Sequence, residues 1–496
     1  MRVLGRSPSW SLACAAFVFF ALVLPLDIAG QLADPDTYWH IAAGDLIRGL
    51  GALPQQDTWS FTAGQERWLN ISWAWDISAS FVHQWWGWQG VIALNTVTIA
   101  LALAIVFYHC LERCGQFLPC FLLCIFLASG VLGLSARPMQ MSLLFCACQM
   151  LLLWRVDRGL ASPRYLALLP LMMVAWVNMH GGFLVGLLIV GVYMLAALRD
   201  GKKALSACCA LTLLGCLAAC VLNPLGVGIA EAALRTLSSV AKGSISEWQP
   251  ASFSSKGALY IGLFLIAVSK PLGATRAEKW LSLAWLVACL FSIRHIGIFA
   301  IVTAPMLVCY VQAFLAPKTT APLPAWLSDL GCKLHQAALG STGMLVGLLA
   351  CSLACAWLVS APAKTLYAME PYPVLDLTQE IAWIEKHAPN ARLMNDYDLG
   401  GPLIYYARGA IPVWVDGRTE TAYPKSLMLD YMKFFNATSG WEQSVETYHL
   451  DGAIISNRAY ITIDRFKARK GWKPAFQGKT ATIFLREPTQ PRRQTD

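Results

Sequence analysis

Charge is scarce in this chain. Asp, Glu, Lys and Arg make up 14% of its 496 residues, hydrophobic residues 57%, and the mean hydropathy is +0.52. A soluble domain of that composition would expose apolar surface on a large scale, so the soluble class is excluded. Cysteine is missing where an oxidising compartment would use it: all sixteen lie between Cys14 and Cys355, none in 30–89 and none after 361. That distribution argues against a disulfide scaffold. Cys208-Cys209 and Cys146-Ala147-Cys148 read as small packing residues, and zinc-ligand spacing is absent. No long internal repeat stands out. The net charge of +9 is a poor sign of nucleic-acid binding, because the cations gather in short connections between apolar runs.

Those apolar runs are what the chain has in abundance. A span needs about 20 apolar residues to cross about 30 Å of hydrocarbon. Runs near 10–29, 90–110, 118–134, 140–154, 165–179, 182–198, 204–222, 257–269, 280–293, 296–315 and 336–360 predict a polytopic α-helical membrane protein of about eleven spans. The first run, behind Arg2 and Arg6, resembles a signal peptide but lacks a clean small-residue cleavage site, so it is expected to stay as an anchor. Positive residues accumulate in cytoplasmic loops. Arg113, Arg155, Arg158, Arg164, Arg199, Lys202, Lys203, Lys270, Arg276, Lys279, Lys318 and Lys333 then fall on the cytoplasmic side together with Arg2 and Arg6. An odd span count exports the loop 30–89 and everything after 361.

The tail reads differently. From 361 charges return and the apolar runs shorten, with Pro362, Pro371 and Pro373 marking a linker. Leu375 to His387 has helical periodicity. Ala391 to Asn395, Ile411 to Val415, Gly452 to Ser456 and Thr482 to Leu485 read as short strands. The expectation is a membrane domain over 1–360, a separate small α/β domain over 361–487 and a polar, disordered end over 488–496. Asp396, Asp398, Asp416 and Arg418 are surface-site candidates of that domain, with turn formation as the competing role.

The segment Asp34-Pro35-Asp36-Thr37-Tyr38-Trp39-His40 opens a short amphipathic helix directly after the first apolar run. An acidic pair beside aromatic residues at that place reads as the catalytic edge of a membrane enzyme acting on a lipid-borne substrate. Asp34 is equally well suited to cap the helix, and Asp36 to its positive end. His40 lies four residues after Asp36 on one face, where it can tune a base, bind substrate or join a hydrogen-bonded interface. Trp39, Trp59, Trp68, Trp73, Trp75, Trp85, Trp86 and Trp88 crowd into the same loop and read mostly as interfacial anchors.

Asp34 to His40, Asp57-Thr-Trp-Ser-Phe-Thr, Trp176-Val-Asn-Met-His-Gly-Gly-Phe183, Asn223-Pro-Leu-Gly226, Ser246-Glu-Trp-Gln-Pro250 and Arg294-His295 occur in that order. In this the chain resembles bacterial GT-C-type membrane glycosyltransferase homologues. Asn395-Asp-Tyr-Asp-Leu-Gly-Gly401 with Val415-Asp-Gly-Arg-Thr419 is similar to the soluble domain that ends such proteins. The resemblance implies a GT-C-like membrane fold, a polyprenyl-phosphate sugar as donor and an acid of the first exported loop, Asp36 or Asp34, as catalyst. It implies residence in the bacterial inner membrane, with the active loop and the tail facing the periplasm. Related sequences often carry an acidic residue where this chain has Ser72, so a second carboxylate, if the reaction needs one, must come from Asp57, Glu66 or Asp76.

Chemistry independent of the family points the same way. Sugar transfer from a lipid phosphate needs a base for the acceptor hydroxyl and cations for the departing phosphate. His40, Asp57, Arg137, His180, Glu247, Arg294 and His295 are the substrate-binding candidates, and direct attack by the acceptor inverts the anomeric carbon. No resident metal is assigned, although the chemistry leaves room for a divalent cation. The expected partners are the lipid-linked donor, a glycan, lipid or protein acceptor, and the membrane. A transporter or flippase, or a noncatalytic subunit of a surface-glycan assembly system, is the alternative.

Overall fold

Inside a bilayer every backbone polar group must be paired within the protein, and helices do this segment by segment. The computed structural model is accordingly dominated by helices. The described residues are 10–24, 32, 34–64, 66–133, 135–238, 248–250, 256–268, 273–315, 375–435 and 441–487. The expected span 336–360, the three linker prolines, Glu247 and the end 488–496 lie outside them.

The early helices are α1 (Trp10–Val23), α2 (Asp36–Leu50) and α3 (Trp73–Cys114). Then come α4 (Phe117–Phe126), α5 (Met139–Asp157), α6 (Leu168–Met179), α7 (Phe183–Arg199) and α8 (Lys203–Ala219). They are followed by α9 (Gly228–Leu237), α10 (Lys256–Val268), α11 (Arg276–Phe291) and α12 (Ile296–Leu315). The tail contains α13 (Thr378–His387), β1 (Leu393–Asn395), α14 (Tyr397–Tyr406), α15 (Lys425–Phe435) and α16 (Trp441–Thr447). It closes with β2 (Gly452–Ser456), α17 (Tyr460–Lys467), β3 (Trp472–Gln477) and β4 (Ala481–Arg486).

Two compact units result. One comprises Met1–Gln31, Ile92–Gly226 and Ile245–Tyr367; the other comprises Leu32–Val91, Val227–Ser244 and Ala368–Asp496. The expected boundary at 361 thus misplaces the division, because the loop after the first span folds into the same unit as the tail.

In the first unit a helix stands at every expected span within the described residues. Among the described residues three segments, Trp73–Cys114, Met139–Asp157 and Ile293–Tyr310, are long and apolar enough to cross a membrane. The shorter apolar helices include Leu12–Val23, Phe183–Arg199 and Lys203–Ala219, and at about 1.5 Å per residue they fall short of full spanning length. Of the about eleven expected spans, three reach that length among the described residues. Leu171, Leu211, Ile266 and Phe291 project outward with 70–75% of their surface exposed. That outer face suits hydrocarbon better than water.

In the second unit a four-stranded sheet runs in the order β1-β2-β4-β3. β1 pairs parallel to β2 with Leu393 opposite Gly452, and the other two pairings are antiparallel. Ile411 to Val415 is no strand of this sheet. Val413 N–H instead donates to the Trp59 carbonyl at 2.9 Å, and Phe61 N–H donates to the Val413 carbonyl at 3.2 Å. The Asn395 side chain takes up Trp414 N–H at 2.7 Å and gives a hydrogen bond to the Val415 carbonyl at 2.8 Å. A tail segment thus satisfies its backbone on a loop more than three hundred residues earlier, as buried main chain must.

Candidate functional site

Pro35 fixes the backbone at the entrance to α2. The Asp34 carboxylate accepts the Asp36 N–H at 3.0 Å, and the Asp34 and Pro35 carbonyls accept from Thr37 and Tyr38 at 3.3 Å each. Asp34 is half-buried and Asp36 buried. Asp36 Oδ1 accepts a hydrogen bond from the Trp39 indole at 3.1 Å. Two glycines of the tail, Gly417 and Gly401, let this turn seat itself, and a third, Gly400, lets the two tail motifs close on each other. A Cβ on Gly417 would overlap Asp36 Oδ1, one on Gly401 would overlap the Pro35 carbonyl, and one on Gly400 would overlap the Val415 carbonyl. The two tail motifs and the Asp34-Pro35-Asp36 motif are therefore one packed constellation.

His40, one turn on, faces the other way into a buried pair. Its Nδ1 lies 2.5 Å from Asp76 Oδ1, and Asn70 donates to Asp76 Oδ2 at 2.7 Å. The His40 ring packs on Trp39 at a tilt of 30°, with centroids 3.6 Å apart, so the pair also braces the indole that holds Asp36. α2 comes this close to α3 because Gly44 has no Cβ to strike the Asp76 carbonyl. Of the carboxylates considered in place of the missing acid at Ser72, Asp76 is the one joined to this network.

Asp57 has a different fate. Its Oδ1 accepts from Arg418 Nη1 at 2.6 Å, while Arg418 grips Asp416 through Nε at 2.9 Å and Nη2 at 2.7 Å. Tyr423 completes the cage, and the Trp59 and Trp68 rings lie 4.9 and 4.8 Å from the guanidinium. Asp57, Asp416 and Arg418 have no exposed side-chain surface. Burial alone would weaken the guanidinium's charge, but Asp416, Tyr423 and Asp57 hold its pKa well above the usual value. Asp57 is thus a structural anion rather than a substrate ligand, and Asp416 and Arg418 are not surface residues. The tryptophan-rich loop is likewise mostly core: Trp39, Trp59, Trp68 and Trp75 are buried, whereas Trp85 and Trp86 remain exposed.

Beside Asp34, the carboxyl ends of the parallel strands β1 and β2 lead into Asp396, Asp398 and Arg458. Asp398 is open to solvent on one side. Desolvation by the groups packed around it, then Asp396 and Asp34, push its pKa up to about 6, with Arg458 opposing. A carboxyl whose folded pKa lies above its unfolded value favours the fold most when protonated, and that contribution is lost as pH rises through the folded value. Acidification from pH 7 to 5 should therefore raise the thermal midpoint of the wild type relative to Asp398→Asn. Equal pH profiles for the two proteins would remove Asp398 as the source.

The remaining candidates belong to the first unit. His180 ends α6, and its Nδ1 lies 2.7 Å from the hydroxyl of Ser142, near the start of α5; the Trp176 indole donates to the same hydroxyl at 2.7 Å. Arg137 precedes α5 by two residues. Arg294 and His295 form the turn before α12, with the Arg294 guanidinium 4.9 Å from the Trp248 ring. Gly297 packs against Leu143 of α5, and Lys256 at the start of α10 reaches the Ser129 carbonyl. Arg137, His180, Lys256, Arg294 and His295 accordingly share one end of the helix bundle. Lys256 is not legible as a site residue in the sequence, since a lone lysine before an apolar run carries no distinguishing signal.

The opposite end is built on ion pairs. Arg113 binds Glu278, Arg155 binds Glu112 at 2.6 Å, Lys202 binds Asp157, and Arg276 binds Asp200 at 2.6 Å. Among the described residues no group of three His, Cys, Asp or Glu side chains is placed to hold a metal ion.

No protein-family model and no curated protein matches the chain.

Proposed function

We propose that the protein is a membrane glycosyltransferase of GT-C type, with about eleven membrane segments. It moves a sugar from a polyprenyl-phosphate donor to an acceptor on the non-cytoplasmic face, with inversion. The observation that carries this reading is the seating of Asp36. A carboxylate is held at the positive end of a helix by Trp39, braced through His40 and Asp76, and abutted by Gly417 of the tail. So much packing around one acid suits a base that must meet an acceptor hydroxyl in fixed geometry. Asp36 is the base in this reading and Asp34 the alternate.

The cationic end of the bundle supports the donor half. Its described turns contain Arg137, Lys256 and Arg294 but no Asp or Glu. In this reading they take the phosphate with His180 and His295. The tail contributes the acceptor side through the strand ends that carry Asp396, Asp398 and Arg458. The test is turnover: purified full-length protein is offered a panel of polyprenyl-phosphate sugars with candidate glycan and lipid acceptors. Transfer with inverted product is expected; failure across the panel by protein that is folded and binds none of the donors would refute the reading.

Sidedness has its own check. Reporter fusions at residues 60 and 420 should both report the exported face, and one at 201 the cytoplasm. A cytoplasmic signal at 420 would overturn the span parity.

One observation favours a transporter instead. His109 is buried within α3, 4.7 Å from the Trp154 ring, and its Nε2 has no hydrogen-bond partner among the described residues. Buried ionisable groups inside membrane helices often mark transport paths. Proton- or donor-coupled flux in sealed vesicles, abolished by His109→Phe and indifferent to Asp36→Asn, would favour that reading.

A further inference from the structure

α3 carries large aromatic residues on a face that no described residue covers. Phe81, Trp85 and Trp86 are 49%, 66% and 65% exposed, and the Phe81 and Trp85 rings lie 5.8 Å apart, one helical turn from each other. The opposite face of the same segment is fully engaged. Trp75, Asp76, Ala79 and Ser80 are buried there, and His83 Nε2 lies 3.1 Å from the Tyr405 hydroxyl. The solvent-facing side of a helix is ordinarily polar. The outer face therefore calls for an apolar neighbour, and an exposed aromatic patch of this kind marks an interaction surface.

The next residues of α3 identify that neighbour. At Gly87 the backbone leaves the helix, with φ 60° and ψ −148°, a conformation open mainly to glycine. A Cβ on Gly90 would overlap the Val82 carbonyl, so the break is tightly folded. Directly beyond it the same helix becomes the apolar segment long enough to cross a membrane. The aromatic ridge thus stands within a few residues of the point where the chain enters hydrocarbon, the depth at which tryptophan is enriched. Arg48 lies on the ridge, its guanidinium 5.7 Å from the Phe81 ring, hydrogen-bonded to Ser80 at 2.9 Å and to Gln84, and 3.8 Å from the Asp45 carboxylate. A cation at that level complements lipid phosphate.

We infer that Phe81, Trp85 and Trp86, with Arg48, form a lipid-docking ridge that lies in the headgroup layer. The inference rests on the chain crossing the membrane, and it is independent of the glycosyl-transfer chemistry.

The test uses the full-length protein in nanodiscs of phosphatidylethanolamine and phosphatidylglycerol, with a benzophenone amino acid placed singly at 81, 85 or 86. All three sites are exposed, so the substitutions leave the core untouched. Positions 211 and 460 serve as a hydrocarbon-facing and a solvent-facing reference, since Leu211 projects from α8 and Tyr460 from the tail, 73% and 68% exposed. After irradiation, intact mass should show phospholipid adducts at 81, 85 and 86 as at 211, and none at 460. Adducts at 211 alone would overturn the proposal, as would cross-links from 85 and 86 to a second protein chain in place of lipid. Arg48→Glu should lower the adduct yield at 85 in discs with phosphatidylglycerol but not in discs of neutral lipid. Equal loss in both would assign Arg48 a purely structural role and remove it from the ridge.

Discussion

Arg418→Met is expected to destabilise the loop–tail unit by about 3–5 kcal/mol, the usual cost of removing one partner from a buried ion pair. Methionine fills much of the volume between Trp59 and Trp68 but leaves Asp57 and Asp416 buried without their cation. The penalty thus lies in the stranded carboxylates more than in lost contacts. Near-UV circular dichroism of the detergent-solubilised protein, followed through denaturant, should show an early transition for the variant. The triple replacement Arg418→Met, Asp57→Asn, Asp416→Asn should recover part of the loss because the buried charges are gone. A shift within about 0.5 kcal/mol, typical of a surface substitution, would show that the cage is not the bolt between loop and tail. The same geometry opposes the expectation of a separate domain over 361–487: in that fragment Arg418 lacks Asp57, and Val413 lacks the Trp59 and Phe61 backbone.

The apolar helical part of the fold was legible because helices long enough to cross hydrocarbon follow a simple rule of composition and run length. Parity over the spans likewise put Arg137, His180, Arg294 and His295 at the same span ends, and the α4–α5, α6–α7 and α11–α12 connections carry them at one end of the bundle. The short helices were harder to judge, since apolar runs of 10 to 17 residues are marked off by Gly, Pro and charge in the same way as longer ones. In the tail, β1, β2 and β4 followed from short apolar runs between turn residues. β3 did not, because Lys473, Pro474 and Ala475 are exposed and proline is tolerated only at such an edge. Ile411 to Val415 has a strand's composition, yet its partner is the loop at Trp59 to Phe61.

The pairing of loop with tail left only an indirect trace. Gly400, Gly401 and Gly417 stood inside the two tail motifs without a role of their own, whereas their missing side chains make room for Val415, Pro35 and Asp36. Arg418 and Asp57 each read as a polar group awaiting a ligand, and each proved to be the other's partner. Charges so far apart in sequence carry no local sign of their pairing. The four-residue spacing of Asp36 and His40 was visible, but Asp76, which fixes the histidine, lies beyond any helical period.

Asp36→Asn is expected to lower turnover by about 10²–10⁴-fold, the usual contribution of a positioned general base. The amide oxygen can still accept the Trp39 indole hydrogen bond and keeps the residue's size, so the turn should persist while basicity is lost. Donor binding should therefore survive. Arg294→Ala should weaken donor binding and rate together, since a phosphate contact acts in both ground and transition states. Gly417→Ala offers an independent approach to the same carboxylate: its methyl group would displace Asp36 Oδ1 without altering the acid's chemistry, so turnover should fall although the base remains. Thermal midpoints measured beside activity separate loss of fold from loss of chemistry. Near-normal transfer by both Asp36→Asn and Asp34→Asn, in protein of wild-type stability, would make these carboxylates helix caps and move the search for the base to Asp398. There the pKa of about 6 would have to reappear as the acidic limb of the rate profile.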